Sequence, residues 1–233
     1  MKVSNITFTG ADDDTSISEL VDISINSRFV EWGILFPSSG GSRFPSLDWV
    51  HNLTEFKEKY PFLKLSAHMC GKSVNDALNG NITAFVGILG VHPFQQFSRI
   101  QLNFHGLPIK SKYPESFNQL VNRLSHEIII QMDGVNDDLS EDHPDVSLLY
   151  DTSSGAGVLP YTWPSPMPDR RCGYAGGLGP DNLKAELEYL DYFLPENTVI
   201  WIDMETNVRT NAKLDLDKVK KCIDIVEPYI CQP

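Results

Sequence analysis

Short runs of apolar, β-branched residues alternate along this chain with stretches of helical periodicity, and that alternation constrains the fold more than any other feature. Val3 to Thr9 reads as a strand, and Thr15 to Ser27 as a helix with Leu20 and Ile23 on one face. The pair recurs as Val30 to Phe36 with a helix opening at Ser46, then as Leu63 to Ala67 with a helical turn over Ser73 to Leu78. Arg99 to Phe104, Ile128 to Met132, Val146 to Tyr150, Cys172 to Ala175 and Val199 to Ile202 read as further strands. Helical faces fall at Phe117 to Leu124, at Leu183, Leu187 and Leu190 behind a Pro180 in the first helical position, and at Leu216 to Val226. Ala84 to Val91, rich in Val, Ile and Gly, reads as a connecting or extra strand.

Eight strand–helix units in 233 residues predict a single (β/α)8 barrel domain spanning residues 1–233. A doubly wound open sheet would also alternate, but no Gly-x-Gly-x-x-Gly follows the first strand. The polar residues are spread over many strand ends instead of being grouped at one crossover. No repeat, linker or low-complexity tail marks a second domain.

Charge and cysteine usage narrow the partners. A net charge of -12 repels polyphosphate chains, so nucleic acid is not an expected partner. The absence of an 18-residue apolar stretch predicts no membrane span, and the N-terminus lacks the basic-then-apolar pattern of a secretory signal, so a cytoplasmic location is expected. Cys70, Cys172, Cys222 and Cys231 are scattered without a CxxC pair and read as free thiols. The triplets at Asn5, Asn52 and Asn81 then read as chance glycosylation matches. No cofactor and no dedicated metal site are expected, and a homodimer is left open.

Nearly every strand stops in a residue able to donate, accept or take a proton: Thr9, His68, His105, Asp133, Asp151 and Asp203. In a parallel barrel such ends converge over one mouth, where ligands bind. Asp151 is the strongest candidate, at the edge of an apolar run and ahead of Gly155 and Gly157. It reads either as a general acid or as a loop-capping carboxylate. Gly173 to Pro180 contains Gly176 and Gly177 and is the clearest anion-binding stretch, and Asp203 to Arg209, with Glu205, Thr206 and Asn207, would complete a phosphate cradle. Arg43 reads as a clamp for an anionic ligand or as a plain surface arginine. His68 and Cys70 share a strand face and read as a thiol–imidazole pair, as a metal-ligand pair or as packed core residues; His105 continues an alternating polar row with Gln101 and Asn103. The parity of Glu31 is open between barrel interior and helix side. Trp32, Trp49 and Trp201 read as core, whereas Trp163 sits in a proline-rich loop that reads as a lid or a rigid lobe.

These segments resemble phosphoribosylanthranilate isomerase of tryptophan biosynthesis. Arg99 to Gly106 is similar to that family's Val-Gln-Leu-His-Gly strand, and Leu148 to Asp151 with Gly155 to Gly157 is similar to its sixth strand and turn. Ala175 to Asn182 resembles its Ala-Gly-Gly-Leu-x-Pro-Glu-Asn element, and Asp203 to Arg209 with Leu214 to Val219 its final phosphate turn and helix. The resemblance implies an Amadori rearrangement of a phosphorylated aminoribose, with Asp151 at the acid position and Arg43 matching the arginine after strand two. Gly176, Gly177, Thr206 and Asn207 would then meet the phosphate. Lys2 to Thr7 is similar to Lys-Ile-Cys-Gly-Ile-Thr and places Ser4 where the family has its cysteine base. A serine without an activating partner is too weak a base, so His68 or Cys70 takes that role or the reaction differs. The leading expectation is acid/base chemistry on a small phosphorylated sugar or sugar-derived metabolite. A barrel that binds such a metabolite without turnover, and a metal-assisted hydrolase or aldolase using His68, His105, Asp133 or Asp203, stand beside it.

Overall fold

Side chains along a strand alternate between two faces, and here the split separates an apolar outside from a largely polar inside. In the computed structural model, which describes residues 1–37, 40, 42–79, 81, 84–90, 94–104, 112, 114–132, 143–151, 153 and 156–231, eight parallel strands close into a barrel in chain order. They are β1 (Lys2–Thr9), β2 (Val30–Phe36), β3 (Lys64–Cys70), β4 (Arg99–Asn103), β5 (Glu127–Met132), β6 (Ser147–Tyr150), β7 (Cys172–Tyr174) and β8 (Val199–Met204). Closure comes from β8 pairing with β1, where Ile6 is opposite Ile202 and Thr7 opposite Asp203.

Around the barrel lie α1 (Ile17–Asn26), α2 (Leu47–Lys59), α3 (Lys72–Leu78), α4 (Ala84–Leu89), α5 (Pro114–Arg123), α6 (Leu183–Phe193) and α7 (Leu216–Val226). The outward strand residues, among them Phe8, Trp32, Met69, Leu102, Ile130 and Ile202, join the helices in one apolar core. Caps set several helix starts: the Ser16 and Ser46 hydroxyls accept from Glu19 N–H and Trp49 N–H, and the Asp215 carboxylate accepts from Asp217 and Lys218 N–H. All four cysteines are free. Among the described residues no helix is long and apolar enough to cross a membrane.

Several local expectations are corrected. Ala84–Leu89 is helical, because a six-residue apolar run bears no period that separates strand from helix. Helix α6 starts at Leu183 rather than Pro180, and the first N–H groups of its lead-in, those of Asn182 and Leu183, donate to the Gly179 carbonyl. Strands β3 and β8 run past their expected ends, which places His68 and Asp203 inside strands. Between β6 and β7 the described residues hold no helix. Trp163 fills that place in the outer layer instead, edge-on to Tyr174 at 5.5 Å and donating from its indole N–H to Glu186 at 2.7 Å. The proline-rich loop is therefore anchored to the barrel's flank at Trp163.

Inside the barrel, Ile129, Leu149, Ala175 and Trp201 form a small apolar cluster on the β5–β8 side. Gly173 makes room for the indole, since a Cβ there would fall 2.1 Å from the ring. The opposite side is ionic. Arg99 lies over Trp201, 4.4 Å from the ring, and donates to Glu31 at 2.9 Å, while Thr7 donates to the same carboxylate at 2.8 Å. Glu31 therefore faces inward. Lower down, Arg171 donates to Glu127 at 2.5 Å and to Asn5 at 2.7 Å.

Breaking a buried pair leaves a lone charge away from water, which costs more than the pair contributes. Arg99→Met is expected to destabilise the protein by about 3–5 kcal/mol in urea unfolding. The double variant Arg99→Met, Glu31→Gln, which removes both charges, should recover most of that loss.

Candidate functional site

Because all eight strands are parallel, their C-terminal ends share one rim. At that rim is a cavity of about 150 Å³ whose lining includes Thr9 from β1, His68 and Cys70 from β3, Gln101 and Asn103 from β4, and Gln131 from β5. Asp151, Gly176 and Gly177, and then Asp203, Glu205, Thr206 and Asn207, complete it from the ends of β6, β7 and β8, with Arg43 reaching in from the loop after β2.

The floor is a tight polar group. Thr9 Oγ1 donates to Asp203 Oδ1 at 3.1 Å and lies 3.4 Å from His68 Nδ1, while His68 Nε2 is 3.8 Å from Asp203 Oδ2. Gly33 permits this arrangement, since a Cβ there would come within 2.2 Å of Thr9 Oγ1 and 2.9 Å of the His68 ring. Burial pushes the His68 imidazole down to about 3, and the nearby Arg99 charge acts in the same direction. Burial pushes Asp203 up to about 8, outweighing the Thr9 hydrogen bond that favours its ionised form. Near neutral pH the floor thus holds a neutral imidazole beside a protonated carboxyl.

Turns after three consecutive strands shape the rim. Asp151 Oδ1 accepts from the Ser153 N–H at 3.0 Å and from its hydroxyl at 2.7 Å. Gly177 has a left-handed φ of 68°, and a Cβ on it would lie 2.4 Å from Leu159 N, so the β6 and β7 turns touch backbone to backbone. The side-chain amides of Asn182 and Asn207 donate to the Gly177 carbonyl at 2.8 and 2.6 Å, tying the β8 turn to the same point. Arg43 is the only Lys or Arg among the described lining residues. Its guanidinium meets Glu205 at 2.8 Å and its backbone N–H donates to Asp12 at 2.8 Å. Burial raises the Glu205 pKa, with Arg43 and Arg209 pulling against it.

Thirteen of the residues singled out by sequence therefore share the cavity: Thr9, Arg43, His68, Cys70, Gln101, Asn103, Asp151, Gly176, Gly177, Asp203, Glu205, Thr206 and Asn207. His105 and Asp133 lie outside the described residues. Arg209 does not line the cavity; it is bonded to the carbonyls of Gly10 and Ala212 and paired with Asp12 at 3.6 Å. Cys70 does not suit a base, since burial pushes its thiol up and its sulfur accepts from the Asn103 amide at 3.2 Å. Nor does His68, held neutral with a depressed affinity for protons.

Ser4 sits at a bulge near the start of β1, its single hydroxyl proton shared between Asn5 Oδ1 and the Ile200 carbonyl, both at 3.0 Å. Five residues of strand, about 16 Å at the usual rise, separate it from the rim. The mouth-facing end of β1 is Thr9. Gln131 and Ser153 were missed by sequence reasoning; Gln131 follows Ile128, Ile129 and Ile130 and carries only its inward parity as a signal. Among the described residues no three His, Cys, Asp or Glu side chains gather closely enough to hold a metal ion.

No protein-family model and no curated protein sequence matches the chain. Solved structures do. A monomer form generated from the dimeric phosphoribosylanthranilate isomerase of Thermotoga maritima superposes with a TM-score of 0.57 at 16% identity, covering 96% of this chain and 98% of that one. The N-(5'-phosphoribosyl)anthranilate isomerase of Pyrococcus furiosus gives 0.58 at 12% identity, covering 97% and 99%. At such identities the likeness is one of fold, and it extends over nearly the whole length of both chains.

The two floor groups titrate in opposite senses. The raised Asp203 contributes a stability that falls as pH climbs from about 4 to about 8, because the folded state holds a proton the unfolded state gives up. The depressed His68 contributes one that falls as pH drops from about 6.5 to about 3. Between about 4 and 6.5 the two slopes cancel, and above 6.5 Asp203 acts alone. Thermal unfolding followed against pH should show a decline between about 6.5 and 8 that Asp203→Asn removes; an unchanged decline in the variant would contradict the assignment.

Proposed function

We propose that this mouth binds a small phosphorylated sugar or sugar-derived metabolite and moves protons on it, in the manner of a divergent phosphoribosylanthranilate isomerase-like enzyme. The observation that carries the reading is the meeting of Asp151, the Gly176–Gly177 turn and the Asp203–Asn207 segment, from three consecutive strand ends, in one cavity. The ligand's anionic end would lie against the backbone at Gly176 and Gly177, which carry no side chains of their own. Asp203, which holds its proton near neutral pH, would serve as the general acid. Asp151 would be the accepting carboxylate, orienting the ligand through the oxygen that Ser153 leaves uncommitted. This exchanges the part that the family resemblance gives Asp151.

Glu205 works against an anionic ligand, since its carboxylate occupies Arg43, the one arginine among the described lining residues. Binding of a phosphate ester therefore entails either exchange of Arg43 from Glu205 to the ligand or protonation of Glu205. Two unit charges about 4 Å apart near a protein surface interact by roughly 1–4 kcal/mol, so Glu205→Gln is expected to tighten binding by about tenfold.

A second reading is favoured by the β1 end, where Thr9 offers no ionisable group: a barrel that retains a phosphorylated metabolite without turning it over. Calorimetric titration with a panel of sugar phosphates addresses both. The enzyme reading expects saturable binding, weakened at least tenfold by Gly177→Ala, and turnover lowered about 10²–10⁴-fold by Asp151→Asn. Stoichiometric binding with the ligand recovered unchanged supports the second reading, and absence of saturable binding removes both.

A further inference from the structure

The floor of the mouth carries polar atoms that no hydrogen bond described so far satisfies. His68, Gln101 and Asp203 are only 2%, 4% and 6% exposed, yet His68 Nε2, Gln101 Oε1 and Asp203 Oδ2 have no hydrogen-bond partner among the described residues. All three side chains line the cavity. Buried polar atoms left without partners cost free energy, and a native interior leaves few of them.

Their chemistry can be read from their neighbours. Gln101 is oriented by a chain: its amide NH2 donates to Asn103 Oδ1 at 3.0 Å, and the Asn103 NH2 donates to Cys70 Sγ at 3.2 Å. Rotating the Gln101 amide would set two oxygens against each other, so its carbonyl is the atom left without a partner. His68 is oriented by Thr9. Where the Thr9 hydroxyl gives its proton to Asp203 Oδ1, it accepts from His68 Nδ1, and the tautomer that follows leaves Nε2 the bare nitrogen. His68 and Gln101 are also direct register partners on adjacent strands, both pointing inward at one level. His68 Nε2 and Asp203 Oδ2, 3.8 Å apart, are too far to bond each other, but a single oxygen about 2.8 Å from both would satisfy the two together.

From this arrangement we infer a second subsite, on the floor, that recognises the hydroxyl groups of the ligand: one hydroxyl oxygen bridges His68 Nε2 and Asp203 Oδ2, and a second hydroxyl donates to Gln101 Oε1. The bridging hydroxyl donates to the imidazole and accepts from the carboxyl. An anion is unsuited to this position, because the bare imidazole nitrogen and the amide carbonyl both need donors. The substrate class is thus a polyhydroxylated chain with its phosphate at the other end, the phosphate facing the Gly176–Gly177 rim and the hydroxyls the floor. The phosphate half of that statement rests on the proposed function; the hydroxyl half rests on the floor atoms alone.

The test compares three probes on the unaltered protein by ligand-observed NMR and calorimetry: ribitol 5-phosphate, pentyl phosphate and neutral ribitol. The inference expects ribitol 5-phosphate to bind at least about tenfold more tightly than pentyl phosphate, the loss typical when buried polar groups forfeit their partners. In Gln101→Met, which keeps the side-chain length and removes the acceptor, that ratio should fall severalfold. Equal or tighter binding of pentyl phosphate by the unaltered protein overturns the floor subsite while leaving the phosphate reading standing. Saturable binding of ribitol with neither ester bound upholds the floor and removes the phosphate reading, and failure of all three probes removes both.

Discussion

A charge pair in the middle of the barrel, Glu31 with Arg99, is the interaction on which the rest of the structure depends. An arginine taken out of water must be paid for by partners, and Arg99 finds them in the Glu31 carboxylate, in Glu127 at 3.4 Å and in the face of Trp201. Trp201 can lie there only because Gly173 has no side chain. The apolar residues that commonly fill such an interior are confined here to the β5–β8 side. The ionic half beneath the mouth sets where the floor begins and which charges it senses.

The protonation states above follow from that placement. Arg99 lies close enough to depress His68 and to oppose the rise of Asp203, whereas Glu31 adds to that rise. In both groups desolvation is the larger influence, so each settles in its neutral form near pH 7. A neutral imidazole and a neutral carboxyl side by side form a surface for hydroxyl groups, with little to attract a charge. Charge is handled one layer higher, where Arg43 and Glu205 are paired and the glycine turn brings bare backbone to the cavity. The proposed recognition is thus divided by height within a single mouth.

Much of this was legible in the sequence because period and punctuation are local properties. The strands ended in polar residues, and the structure gathers Thr9, His68, Asp151 and Asp203 at one rim as parallel closure requires. What was not legible depends on register or on distant partners. Lys2 to Thr7 resembles a segment in which a cysteine ends a short strand, yet here the strand continues through Phe8 to Thr9, so matching letters put Ser4 at the wrong end of the barrel. Arg209 sits in a turn similar to a phosphate loop, but the carbonyls of Gly10 and Ala212 claim its guanidinium. Glu31 could not be assigned a face until β2 was registered against β1 and β3, and Gln131 was hidden in an apolar strand whose other face meets the helices.

The account stands on one chamber being built by the turns after β6, β7 and β8. A crystal structure of the protein grown or soaked in phosphate tests this most directly. The expected result is a bound anion contacting the backbone at Gly176 and Gly177, with Asp151 and Asp203 opening onto the same space. An ordered anion elsewhere with that turn filled by side chains, or Asp151 and Gly177 at separate surfaces, would contradict it.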